Sequence, residues 1–231
     1  MISLCNLQQF LDFMNEAIWL AEMFIMIFMI IMIGKHRIQW LMDILPLLPI
    51  TMNLFVTKII MLFGVAVPCG DVVAIAYGLG LNIITYQLGA QTSSTILNRS
   101  ILLMITWCFL AFSHVIFIPI PDHEINTAHQ LLFYQTPWIY LSSLAAFYIS
   151  QYADRAIFLI CIKYCSFTIS HALSMLFSQC IDTGLFTFIG LYYLTINPYT
   201  VILWSLTIKS IGWLISIIGV NLFYDNHSER I

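Results

Sequence analysis

The chain has 231 residues, of which 61% are hydrophobic and only 8% are Lys, Arg, Asp or Glu, and its mean hydropathy is +0.94. A water-soluble domain carries about 25% charged residues, so most of this surface is not built for water. The formal net charge of −3 argues against a nucleic-acid partner and against a polybasic lipid-binding segment. Six cysteines, at positions 5, 69, 108, 161, 165 and 180, fall mostly in apolar runs without CxxC spacing, which speaks against a disulfide framework or a zinc site. No metal or cofactor is expected.

A helix needs about 20 largely apolar residues to cross roughly 30 Å of hydrocarbon. Seven stretches qualify, near 17–34, 41–63, 71–90, 100–119, 137–162, 168–194 and 199–222. They predict an all-α membrane protein, one integral domain over residues 1–231 built as a bundle of about seven transmembrane helices. Spans in lipid must satisfy their own backbone hydrogen bonds, and these runs are too long and too little alternating for barrel strands. The first run starts late, lacks a basic leader and ends at Gly34-Lys35-His36-Arg37 without a small-residue cleavage site. It is expected to be a retained helix rather than a signal peptide. Pro68-Cys69-Gly70-Asp71, Pro119 to Glu124 and Asn197-Pro198 supply turn chemistry between spans.

Threading seven spans puts Lys35, Arg37, Arg99, Lys163 and Arg230 on one side, whereas the opposite loops hold no Lys or Arg and include Asp122 and Glu124. The basic side should face the cytoplasm. The expected placement is multi-pass in the inner membrane, with the N-terminus outside and the C-terminus inside.

Three basic residues fall within spans: Lys58, Arg155 and Lys209. Asp71, Asn82, Gln151, Asp154, Gln179 and Asp182 also lie in or at the rim of apolar runs, where an ionised side chain costs about 2.5–3.5 kcal/mol on insertion scales. Such residues normally face a bundle interior and find partners. Asp182 is near the middle of the sixth span and Lys209 near the middle of the seventh, and a short turn makes those spans antiparallel neighbours. An ion pair between them is expected. Two readings stand open for it, a pin between helices or the lining of a ligand site near the midplane. Lys58 either snorkels to the interface or lines the cavity. Asp71 either caps the third helix or belongs to the site, and Asp154-Arg155 reads as a local pair. The Met and Phe runs of the first span are lipid-facing or packing material, and Ser142 to Ala146 with Gly78 and Gly80 let helices approach closely.

Four blocks together resemble a known family. The second span reads Asn53-Leu-Phe-Val-Thr-Lys58, with Asp71 following at a familiar distance. The fifth has Gln151-Tyr-Ala-Asp154, the sixth Ser178-Gln179-Cys-Ile-Asp182-Thr183, and the seventh Lys209. In order and spacing over roughly residues 50–222, the chain resembles the queuosine precursor transporter family, also called the vitamin uptake transporter family, related to the substrate-binding components of energy-coupling-factor transporters. The resemblance implies a six-helix core at about 41–222 with an additional N-terminal helix at about 17–34. Tyr86 stands where the family pattern has Glu, and Ser170-His171 where it tends to have Arg-Asn.

The resemblance further implies a transporter, not an enzyme, importing a 7-deazaguanine derivative or the base queuine for tRNA modification. Other cargoes, another small heterocycle or a vitamin, and a non-transport membrane subunit are the alternatives. Partners are a small heterocyclic substrate and membrane lipid, with no nucleic acid; no nucleotide-binding motif is present, and the energy-coupling partner is left open. The expected substrate-binding set is Asp182, Gln179, Lys209, Asn82, Asn53, Asp71, Lys58, Gln151 and Asp154. A carboxylate such as Asp182 can accept both donors of a guanine-like edge while Gln179 or Asn82 answers its carbonyl. Tyr86, Trp204 and Phe186 are candidates for stacking on the ring.

Overall fold

The computed structural model describes residues 2–56, 58–118, 136–192 and 197–225. The acidic connection with Asp122 and Glu124, and Arg230, lie outside the described residues. The first helix, α1 (Ile2–His36), carries the first expected span and turns one apolar face inward. Met23, Ile27, Ile30 and Ile31 are buried, whereas Phe24, Ile25 and Phe28 are exposed, the division expected of a helix with packing on one side and lipid on the other.

The second expected span is not one helix. It begins as α2 (Ile38–Ile44), tightens into a 3-10 turn (Leu45–Leu47) and resumes as α3 (Leu48–Phe55). Pro46 and Pro49 stand in the first turns of these pieces, where a missing N–H does least harm, and they divide the run. Helix then stops at Phe55, and the expected continuation to residue 63 is a β-hairpin. Strands β1 (Ile59–Leu62) and β2 (Val65–Pro68) pair antiparallel from Ile59 opposite Pro68 to Leu62 opposite Val65. Phe63 and Gly64 both have positive φ, 52° and 78°, as a two-residue type I′ turn requires. An unbroken apolar run of Ile, Met, Leu and Val does not reveal its period, so strand and helix read alike there. The hairpin leans on α1. Glu16 Oε1 accepts from Phe63 N at 3.0 Å, and the Trp19 and Phe63 rings meet edge to face at 6.5 Å.

Helix α4 (Asp71–Ile116) has 46 residues, interrupted at Gly89, where φ is 84° and ψ 173°. Its two runs are antiparallel. Tyr77 Oη donates to Ser100 Oγ at 3.0 Å, although a straight helix would hold those residues roughly 34 Å apart. The third and fourth expected spans are therefore both present, but the loop expected between them is helical from residue 90 onward. Only glycine adopts the Gly89 backbone without strain, and a Cβ there would meet nothing within 4 Å. Gly89→Ala should consequently lower stability by about 1–3 kcal/mol through backbone strain alone. Detergent-solubilised protein melting at the wild-type temperature would contradict this.

The first run of α4 is central. Every residue from Asp71 to Thr85 is buried, and α4 packs against α1, α3 and the three helices that follow: α5 (Thr136–Cys161), α6 (Phe167–Phe186) and α7 (Pro198–Val220). A Cβ on Gly80 would collide with Leu45, so that glycine sets a close helix approach. Ser166 caps α6 by accepting from Ile169 N, and Asn197 caps α7 by accepting from Thr200 N with Pro198 in the first turn. The Asn197-Pro198 breaker is thus a helix start. One end of the bundle is knit by Gln87, which donates to Gly34 O and Tyr224 Oη at 3.2 Å each, and by Phe167, whose ring lies 4.8 Å from Tyr86 and 5.2 Å from Tyr224.

Five of the described segments are long and apolar enough to cross a membrane: Phe13–His36, Ile38–Phe55, Asp71–Ile116, Phe167–Gly190 and Pro198–Tyr224. The protein is of the all-α membrane type. Seven is an approximate count of spans, because one of these segments holds two runs, the Ile38–Phe55 segment is broken, and α5 is less apolar than the rest.

Candidate functional site

Lys209 projects from the middle of α7 into a buried cluster. Its Nζ donates to Asp182 Oδ2 at 3.1 Å and to Thr183 Oγ1 at 3.0 Å, both on α6, and lies 3.4 Å from Asp71 Oδ1 at the start of α4. The expected Asp182–Lys209 contact is present, with a second acid that the sequence reading did not connect to it. Asp71 does not cap its helix: Gly70 occupies the cap position and no side-chain cap bond forms. Two carboxylates on one ammonium leave the cluster one negative charge in excess when all three groups are ionised. Asp71 Oδ2 is buried with no hydrogen-bond partner.

Deeper along the same three helices runs an uncharged layer. Asn82 Nδ2 contacts His171 Nδ1 at 3.1 Å and donates to Ser174 Oγ at 3.2 Å, and His171 Nε2 contacts Ser216 Oγ at 3.1 Å. Because an amide nitrogen only donates, Nδ1 must be the acceptor, so the imidazole is the neutral tautomer with its proton on Nε2, given to Ser216. Ser216 in turn donates to Trp213 O at 2.7 Å. His171, Ser174, Thr183 and Ser216 were missing from the expected set. For His171 and Ser174 the signal lay in spacing: 171, 174, 178 and 182 recur at three or four residues, one face of α6.

Asp154, on α5, is fully buried, and its neighbours are Asn82, Ser174 and Ser178. Neither carboxylate oxygen reaches hydrogen-bond geometry with them. The expected local pair with Arg155 is absent. Arg155 turns to the α4 hinge instead, donating to Ala90 O at 2.7 Å and Ser93 Oγ at 3.1 Å. Consecutive residues on a helix diverge by about 100°, so neighbours in sequence are poorly placed to pair.

Gln151 and Gln179 are buried with their Oε1 atoms unpartnered, as is Oδ1 of Asn82. Asn53 on α3 accepts from Ser143 Oγ at 2.5 Å while its Nδ2 has no partner. Lys58 does not join the cluster. It lies at the start of the hairpin, exposed, its backbone carbonyl accepting from Cys69 N. Of the stacking candidates, Tyr86 is spent on Phe167 at the end of the bundle and Trp204 is 42% exposed. Native proteins rarely leave buried polar atoms unpaired. Here Asp71, Asn82, Gln151, Asp154 and Gln179 all present unpaired acceptor oxygens, a buried seam carried by α4, α5 and α6.

Residues 68–224 match a protein family described as "Putative vitamin uptake transporter". The match begins at the last residue of β2 and takes in Asp71, Asp182 and Lys209 and the layer of Asn82, His171 and Ser216, but not Asn53. No curated protein and no solved structure matches the chain.

Proposed function

Because the chain belongs to this vitamin uptake transporter family, we propose that its cargo is a queuosine precursor, a 7-deazaguanine base imported for tRNA modification. One observation carries the reading: a lysine held between two buried acids, with Asp71 Oδ2 and Gln179 Oε1 on the same helices left without partners. A guanine-like edge offers adjacent ring N–H and amine donors, which a carboxylate accepts together, beside a carbonyl that an amide donor answers. Asp182 and Asp71 supply the carboxylates, and Gln179, Gln151 and Asn82 the amides. A base lacking those donors would leave the acceptors unpaired, the strongest form of discrimination available to a polar pocket. The excess negative charge at Lys209 further favours a base with a protonated aminomethyl arm over its neutral nitrile counterpart. In this reading the protein lies in the cytoplasmic membrane with Lys35, Arg37 and Lys163 inside.

Cells lacking their own queuosine synthesis should gain queuosine in tRNA when they express this chain and receive a precursor, and the aminomethyl base should suffice at a lower concentration than the nitrile. Membrane expression without any tRNA queuosine, whether the free base queuine or either deazaguanine precursor is supplied, would replace this cargo with another heterocycle or vitamin.

A further inference from the structure

The carboxylates of the seam are not equivalent. Asp71 and Asp182 share Lys209, whereas Asp154 has no cationic partner among the described residues and is completely enclosed. The groups around it are known from each packed element. The first run of α4 brings Asn82 and the phenol of Tyr77, which gives its own proton to Ser100. Helix α6 brings Ser174, Ser178 and, one bond further along through Asn82, the neutral imidazole of His171. On α5 itself, Arg155 faces the α4 hinge and Gln151 is uncharged.

The neutral donors that face Asp154 are engaged elsewhere, Asn82 Nδ2 with His171 and Ser174. Both Asp154 oxygens and Asn82 Oδ1 lack donors, Ser178 directs its hydroxyl to Met175 O, and Ser174 directs its hydroxyl to His171 O. A single proton changes this. The carboxylic acid becomes an O–H donor beside the hydroxyl oxygens of Ser174 and Ser178, and it no longer carries an uncompensated charge in hydrocarbon. One carboxylate, one amide oxygen and two hydroxyls make a sparse shell for a hard metal cation. They are sufficient for a proton.

We propose that Asp154 is the proton-coupling site of this protein, taking up a proton from the outer aqueous phase and releasing it to the cytoplasm as cargo crosses, so that uptake is proton symport. The proposal rests on the transport reading above and takes Asp154 out of the expected substrate-binding set, leaving the base to Asp71 and Asp182. In each cycle the Asp154 carboxylate gains a proton to become the acid and then loses it, with no other bond made or broken.

Transport by purified protein in liposomes, with the membrane potential clamped and labelled aminomethyl-deazaguanine as cargo, tests it. Under an inward gradient of one pH unit, a one-proton symporter sustains about tenfold accumulation. Wild-type protein should show that accumulation and lose it with a protonophore. Asp154→Asn, which keeps the shape of the protonated acid, should retain exchange of internal for external cargo while accumulation falls to the one-to-one ratio. Loss of exchange together with accumulation in a well-folded variant would make Asp154 a cargo ligand and overturn the proposal. Accumulation that ignores the protonophore but needs sodium would overturn it as well. An arm without cargo keeps the two readings apart: infrared titration of wild-type protein should show a protonated-carboxyl band that disappears as pH rises and is missing from Asp154→Asn. That band in a protein that exchanges none of the deazaguanines would sink the cargo reading alone, and its absence would sink the proton site.

Discussion

Lys209→Met should abolish uptake and destabilise the protein more than loss of either acid beside it. Removing one partner from a buried ionic cluster typically costs about 3–5 kcal/mol, because a charge is left without compensation. Here the substitution strands two carboxylates together, Asp71 and Asp182, which stood 3.4 Å and 3.1 Å from the ammonium. Asp182→Asn and Asp71→Asn are milder in stability, since each leaves Lys209 one remaining acid, yet each should reduce uptake by about tenfold or more if it contacts cargo. Replacing the pair alone, Asp182→Asn with Lys209→Met, still leaves Asp71 buried and unpaired. The informative variant is the triple Asp71→Asn, Asp182→Asn, Lys209→Met. Should the cluster be only a pin between helices, the triple variant regains both thermal stability in detergent and uptake. A cargo site regains stability and not uptake.

His171→Leu should be the second large effect, on folding before transport. The ring joins α4 to α7 through Asn82 and Ser216, and a leucine of similar bulk removes both hydrogen bonds, at about 0.5–1.5 kcal/mol each, while Asn82 keeps Ser174 and Ser216 keeps Trp213 O. His171→Gln, which can both accept and donate, should recover part of that loss. Unchanged melting for His171→Leu in detergent would show that the three-helix contact contributes nothing.

Much of this was legible in the sequence, and the failures have physical causes. Hydropathy located the membrane segments because lipid imposes a single requirement on them, and the Asp182–Lys209 contact followed from depth and a short turn. The family blocks pointed to the same seam, and the match over residues 68–224 bears out their coarser message. What the sequence hid was backbone geometry inside apolar runs. Nothing in Ile59-Ile-Met-Leu-Phe-Gly distinguishes a hairpin from another helical turn until Phe63 and Gly64 are seen at positive φ. Likewise nothing in the run around Gly89 marks it as the point where the chain reverses. Asp71 was ambiguous for a related reason: its position at a helix start suggested a cap, and only the crossing of α7 over α4 shows what its carboxylate meets. His171 appeared in the sequence merely as a departure from a family pattern, because a neutral imidazole between two helices leaves no charge to count.

The single-residue turn at Gly89 also bears on how the chain is made. So short a turn between the two runs of α4 favours their entering the bilayer as a pair, with Asn82 inside it. Its partner His171 is 89 residues further along, which at about 5–20 residues per second means a wait on the order of 4–18 s during synthesis. Lys209 follows Asp182 after another 27 residues. Until then Asp71 has no counter-charge, so the biosynthetic intermediate is least stable just before its last helix inserts. That interval is when an insertase or chaperone holding polar spans out of lipid has most to contribute, and a ribosome-stalled chain ending before α7 is the species on which to look for one.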